Sequence, residues 1–394
     1  RDPITATNLG VRGYDHLLPT YTSERWASDA EFMKATLAGL ATVPVGDDLD
    51  RICAAVITER LECGYALAST GEPARTWGVL TSPVSDVRQV FELMADETED
   101  DRATIEARLR QVRPCLASWR EGLDDLATRG ELPPRRHVLG VASQAAVYAE
   151  GAYERFVHGR AGAPTDDALE QAARDADAAC GEVAEFLRGL APKATEHEPC
   201  GAERHGRWAQ YFTGAALDLH ELYEWGWQDL TRINARMWEL AADLLPGATS
   251  LAAVAAHCDA DDAGAVFGTD ALLERLESFT QDAVRSLNGV HFDIDPSVQR
   301  CDARLAPEGS AAAPYYIAPT EDLSRPGTTW YPTLGRDRFP WWRIASTWYH
   351  EAVPGHHLQH AVSLLASDRL SRYQQSEAWT SGYGEGWALY AERL

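Results

Sequence analysis

Apolar residues recur at helical spacing along most of the chain, and short polar or Pro/Gly-rich stretches divide the periodic runs. Ser28 and Glu31 form a capping-box pattern, which predicts a helix opening there and running to about residue 41. Residues 47–67 repeat the pattern, and Ser82-Pro83 starts a segment that continues to residue 94. An acidic loop over residues 96–101 leads into the periodic run 105–112. Pro114, which lacks an N–H and crowds the preceding turn, predicts a break before 116–126. Residues 138–157 and 166–187 continue the helical theme. A Pro-containing stretch near 191–199 then separates an N-terminal helical region, 1–190, from a second region, 191–394, the two read as one interdependent unit.

Residues 208–244 carry two helices' worth of periodicity and 269–287 another. The character changes over 290–332, which is rich in Pro, Gly, Thr and Tyr and holds two β-like runs, 315–317 and 328–331. The fold class is therefore mainly α with a small β-sheet or hairpin. An exposed edge strand there could pair with an extended peptide, and a hairpin bracing the core is the alternative reading.

With 394 residues and 45% hydrophobic composition, the chain is long enough to bury a substantial core. Its formal charge of -24 disfavours nucleic acid and anionic lipid as partners. Seven cysteines, scattered and never in a C-x-x-C pair, argue for reduced thiols and against a disulfide framework or cysteine zinc site. No apolar run reaches the roughly 18 residues of a membrane span, and the first residues do not form a signal peptide, so a cytoplasmic location is expected. The chain opens on Arg1 rather than Met and closes within a helical pattern, so both ends are read as processing boundaries.

The chemistry concentrates in Tyr349-His350-Glu351-Ala352-Val353-Pro354-Gly355-His356-His357-Leu358-Gln359-His360, followed by Glu385-Gly386-Trp387. Neutral imidazoles and a carboxylate can hold zinc, and a free carboxylate can take a proton from water. In an unbroken helix, six residues would leave His350 and His356 roughly 120° apart in azimuth and about 9 Å apart along the axis, too far to share one ion. Pro354 cannot complete the helical hydrogen bond and Gly355 accepts unusual dihedrals, so the helix is predicted to open there. His356 then returns to the fourth-residue position, with Glu351 beside the metal as general base. His356 with His360, four apart, and His350 with His357 remain rival pairs. Glu385, flanked by Gly384 and Gly386, is the preferred third ligand, Glu377 the alternative, and Glu392 a candidate behind the ligands.

These motifs resemble the bacterial domain-of-unknown-function family numbered 885, thought to be metallopeptidase-like. Residues 6–15 and Ser324-Arg325-Pro326-Gly327 also look like family stretches. Family members continue past the Glu-Gly-Trp motif, so the chain resembles a C-terminally shortened one. A more distant resemblance is to helical gluzincins such as thimet oligopeptidase and angiotensin-converting enzyme. Their H-E-x-G-H aligns with His350-Glu351 and Gly355-His356, with two residues inserted. That likeness implies a zincin-like helical fold with a cleft.

The expected activity is hydrolysis of a peptide or small amide using one zinc ion, with Glu351 as base and Tyr331, Arg325, Tyr383 or Tyr390 serving the oxyanion. Arg325 could instead clamp a substrate carboxylate. Trp341, Trp342 and Trp348 are read as an aromatic face packing into the core. A di-iron bundle is disfavoured because no Glu precedes a His by three residues. A non-catalytic binding protein that keeps the fold is the alternative.

Overall fold

The computed structural model describes residues 2–159, 167–307, 311 and 313–394. The first region is helical: α1 (Pro3–Leu9), α2 (Ser23–Leu40), α3 (Asp48–Ala68), α4 (Glu72–Arg75), α5 (Pro83–Gln89), α6 (Glu99–Arg129), α7 (Arg135–Ala149), α8 (Ala152–Gly159) and α9 (Asp167–Leu190). Asp166, where the last of these was expected to open, lies outside the described residues.

Two sequence expectations are corrected here. α2 begins before Ser28, because the side chain of Thr22 accepts from Arg25 N and caps the helix there. α6 runs unbroken through Pro114, which faces solvent, where the carbonyl it leaves unpaired can be hydrated. Ile105, Leu109, Val112, Leu116, Leu123 and Leu126 bury one seam of α6 on both sides of the proline, and this packing outweighs the local penalty. The acidic "loop" is largely the first turn of α6, where Thr98 and Asp101 form a capping box and the carboxylates meet the positive end of the helix dipole. The single run over 138–157 is two helices, divided at Gly151, whose φ of 92° is left-handed. The carboxylate of Asp177 on α9 accepts from the backbone N–H of Tyr153 and Glu154 and so fixes the start of α8.

The second region contains α10 (Ala202–Thr213), α11 (Leu219–Leu244), α12 (Leu251–Asp259), β1 (Ala265–Phe267), α13 (Thr269–Leu287), β2 (Cys301–Leu305), β3 (Tyr315–Ile317), β4 (Gly327–Tyr331), β5 (Arg338–Pro340), α14 (Ala345–Glu351), α15 (His356–Leu365), α16 (Arg372–Ser376) and α17 (Ser381–Ala391). The expected hairpin partners pair antiparallel, with Tyr315 opposite Trp330. A third strand, β2, adds parallel to the other side of β4, giving the order β2-β4-β3 and leaving β3 at an edge. β1 and β5 form a separate antiparallel pair.

The largest apolar core draws its buried members from residues 74–191, where α6, α7 and α9 pack together. Behind the site the buried apolar residues fall into three smaller groups. The regions are joined by polar contacts. Glu72, fully buried, is bound by Arg75, Arg204 and Trp208 at 2.6–3.0 Å, which ties α4 to α10. Arg60 on α3 donates to the carbonyl of Tyr211 at 2.7 Å. α11 is loosely packed for its length: only Ala241 of its residues is buried, while Tyr223, Trp225, Trp227 and Leu230 are each more than half exposed. No helix among the described residues is long and apolar enough to cross a membrane. All seven cysteines are free, and Cys63, Cys115, Cys180 and Cys301 are buried.

Candidate metal centre

The helix carrying the His-Glu pair stops where the sequence predicts. α14 ends at Glu351 and α15 begins at His356, with a four-residue break between them. The break closes on itself: Gly355 N donates to Tyr349 O at 2.9 Å, and His357 N to Ala352 O at 3.1 Å. A Cβ on Gly355 would sit 1.8 Å from His350 O and 2.4 Å from Tyr349 O, so only glycine can make this return. Trp387 on α17 donates its indole N–H to the carbonyl of Pro354 at 3.0 Å, supplying a partner that the broken helix cannot.

With the break in place, His350 and His356 stand 4.8 Å apart, ring centre to ring centre, with their planes perpendicular. Glu385 reaches in from α17. Its Oε2 is 3.2 Å from His350 Nε2 and its Oε1 is 3.8 Å from His356 Nε2. One donor atom from each of the three residues lies within 4.8 Å of the others. His350 Nδ1 contacts Glu392 Oε1 at 2.9 Å, which holds the ring with Nε2 free to face Glu385. His356 is buried, with the side chain of Gln359, one turn on, as its polar neighbour in a contact short of good hydrogen-bond geometry. Burial lowers the pKa of His356 and favours the neutral ring, the form in which a metal is bound.

The rival histidines are outside the donor cluster, although His360 lies 6.2 Å from His356, ring centre to ring centre. His357 is buried between Tyr316 Oη, at 3.0 Å from Nδ1, and Val298 O, at 2.8 Å from Nε2, so both ring nitrogens are engaged, one with β3 and the other with the turn before β2. His360 stacks on Trp379 with ring centres 4.9 Å apart. Burial pushes both pKa values down to about 4, so both rings are neutral near pH 7. Glu377, at the C-terminal end of α16, is not in the cluster.

The cluster opens into a cavity of about 300 Å³. Glu351 forms part of its wall, with His360, Trp379, Pro314, Tyr315 and Tyr316. Burial first, and then the charges of Glu385 and Glu392, push the carboxyl of Glu351 up to about 8.

Arg325 and Tyr331 are not among the lining residues. Arg325 donates to the carbonyl of Asn8 at 2.5 Å, tying β4's approach to α1, and Tyr331 packs edge-on against Phe339. It is the edge strand β3, not the central strand β4, that borders the cavity. Of the three tryptophans, Trp348 is buried and donates to Thr280 Oγ1 at 2.8 Å, whereas Trp342 is exposed beside Asp259. Sequence reasoning missed Trp379 and the cavity role of Tyr315 and Tyr316. One signal was present: a Cβ on Gly384 would lie 2.0 Å from the Trp379 ring, so the glycine before Glu385 marks where that ring must pass.

Fold and site together define a mainly α-helical protein with a two-histidine, one-glutamate cluster at the floor of a cavity. The chain belongs to the family of bacterial proteins of unknown function called DUF885, which matches it over residues 3–394. Among solved structures, the putative lipoprotein from Colwellia psychrerythraea is similar, with a TM-score of 0.78 and 19% sequence identity over 99% of this chain and 74% of that one. At that identity the likeness is one of fold. No curated protein matches the sequence.

Proposed function

We propose that this protein is a zinc-dependent hydrolase of peptide bonds. The observation that carries the reading is the convergence of His350, His356 and Glu385 within 4.8 Å, beside a buried Glu351 on the same cavity. The donor set fits zinc: histidine nitrogens and a carboxylate are its ordinary ligands, and three protein groups leave a position for the reactant. An ion there would supply Lewis-acid chemistry, polarising a carbonyl and bringing the pKa of water towards ~7.

Glu351 takes the proton from the attacking water and returns it to the departing amine nitrogen. Its raised pKa describes the metal-free protein, and a dication opposite would favour the carboxylate. Glu392 holds His350 in the tautomer whose Nε2 can bind. Among the described residues β3 pairs only with β4, so its outer edge can receive an extended peptide while Tyr315 and Tyr316 border the cavity. The alignment of His350-Glu351 and Gly355-His356 with the gluzincin motif supports the same reading, with the inserted residues falling in the break.

Metal analysis and digestion of a peptide library by wild type and Glu351→Gln test this. One zinc per chain is expected, with cleavage lost in the variant. Zinc without any Glu351-dependent cleavage overturns the peptidase reading. That result would leave a non-catalytic metal- or peptide-binding protein, a reading favoured by one observation: neither Arg325 nor Tyr331 lines the cavity to stabilise an oxyanion. Unchanged metal content in His350→Ala and His356→Ala would remove both from the ligand set. A cytoplasmic placement is part of this proposal, carried over from the sequence reading, and recovery of the protein with the cell envelope on fractionation would overturn it.

A further inference from the structure

Trp379 lies between α16 and α17 and lines the cavity of the histidine cluster. A Cβ on Gly384 would fall 2.0 Å from its ring, so that glycine lets α17 close against the indole. His360 covers one face, its ring centre 4.9 Å away and the two planes 13° apart. The indole thus stands in a fixed orientation beside the donor cluster, 5.8 Å from His356 between ring centres. Even so, Trp379 is 38% exposed, whereas Trp348 and Trp330 are 1% and 3% exposed. Apolar area left open on a cavity wall is area that an apolar group can remove from water.

The wall contributed by β3 and the residue before it has the same character. Pro314 and Tyr315 both line the cavity, and Tyr315 is held by stacking on Trp330, with 6° between the planes. Tyr316 lies against His360, 5.8 Å between ring centres. These are rigid rings, so a side chain seated among them meets a preformed surface.

The acidic groups of the lining are Glu351 and Glu385, and its described residues include no lysine or arginine. Arg325, the guanidinium of the β4 approach, is occupied by the carbonyl of Asn8. A substrate carboxylate, whether a side chain or a chain terminus, would meet other carboxyls and no guanidinium or ammonium partner. The volume of about 300 Å³ is at the small end of the range for ligand sites, about 300–1,000 Å³. It suits one residue and the amide beside it.

We propose that Trp379, with Pro314 and Tyr315, forms an aromatic subsite that selects peptides with a phenylalanine- or leucine-like side chain next to the bond to be cut, and that the cavity excludes acidic side chains and a C-terminal carboxylate. The substrate class assigned in this way rests on the hydrolase reading of the same cavity.

Acetylated and amidated tripeptides with phenylalanine, leucine, alanine or aspartate between two alanines test the subsite. Cleavage is followed with the protein as isolated, and affinity by calorimetric titration of Glu351→Gln, in which the peptides stay whole. Phenylalanine should bind about tenfold more tightly than alanine, with leucine between them and aspartate weakest. A free C-terminal carboxylate on the phenylalanine peptide should not improve its binding. Trp379→Ala should erase the phenylalanine preference while zinc content per folded chain stays at the wild-type level, and Trp379→Phe, which keeps a ring, should retain the preference. Equal affinity for the four peptides, aspartate bound as tightly as phenylalanine, tighter binding of the free acid, or an unaltered preference in Trp379→Ala overturns the subsite. If Trp379→Ala does not fold or hold zinc, the order of the four peptides and the Trp379→Phe result decide the matter. Failure of the two readings is separable: binding that keeps the order and its dependence on Trp379 without any cleavage defeats the hydrolase and leaves the subsite, whereas cleavage without preference does the reverse.

Discussion

The bundle of α6, α7 and α9 and the site helices α14, α15 and α17 are held by different kinds of contact. In the bundle, Ala172, Ala173, Ala176 and Ala184 of α9 meet the leucines and valines of α6 and α7 in one continuous apolar core. Around the site the apolar groups are small, and position is set by close approaches that leave no room for another atom. Gly355 lies against the carbonyls of Tyr349 and His350, Gly327 against Tyr316 and His357, and Gly384 against Trp379. Apolar area weakens by degrees as atoms are removed, whereas a geometry set by backbone approach fails with one methyl group. The bundle therefore supplies stability and the site supplies precision, with Glu72 and Arg60 on the seam between the regions.

The contrast can be broken at several points. The largest expected loss is at the seam: Glu72→Ala leaves Arg204 and Arg75 without their shared buried carboxylate and should cost about 3–5 kcal/mol in chemical denaturation. Burial alone would raise the pKa of Glu72, but hydrogen bonds from Arg204, Trp208 and Arg75 take it down to about 2. Because the folded value is depressed, its contribution is present above the unfolded value of 4.5 and is lost as pH falls towards 2. Glu72→Gln should flatten that acid limb, and an unchanged limb would show that other groups dominate.

Next in size, Leu123→Ala in the bundle should cost about 2–5 kcal/mol while leaving zinc content per folded chain untouched. Gly355→Ala should show the opposite balance, with a loss of about 1–3 kcal/mol but no stoichiometric zinc. If Leu123→Ala lost metal while Gly355→Ala kept it, the division of labour would be wrong. The smallest effect is expected for Trp387→Phe, which removes the bond to the Pro354 carbonyl and should cost about 1 kcal/mol, with weakened metal retention.

Most of the helices could be read directly, because their apolar periodicity is the same feature that buries them in the bundle. The interruption at Pro354-Gly355 and the meeting of His350, His356 and Glu385 were legible because proline and glycine have strong local consequences. The continuation of α6 through Pro114 was not, since packing on α9 overrides the local signal. β2 was missed because Cys301–Leu305 has only five residues and its partner, β4, is far along the chain. The same long-range pairing makes β4 central and leaves the cavity wall to β3, while Arg325 is held by Asn8 and Tyr331 packs on Phe339, contacts that no spacing rule along the chain reveals.

α17 and the residue that caps its C-terminus make three separate contacts with the broken helix: Glu385 to the histidines, Trp387 to the carbonyls of the break and Glu392 to the back of His350. Docking of this helix and assembly of the donor set are thus one equilibrium, and an ion bound by all three ligands would hold the helix down in proportion to RT ln(1 + [metal]/Kd). Amide exchange along Ser381–Ala391 would then serve as a metal gauge, slowing with each increment of occupancy, while exchange in the middle of α9 would not respond.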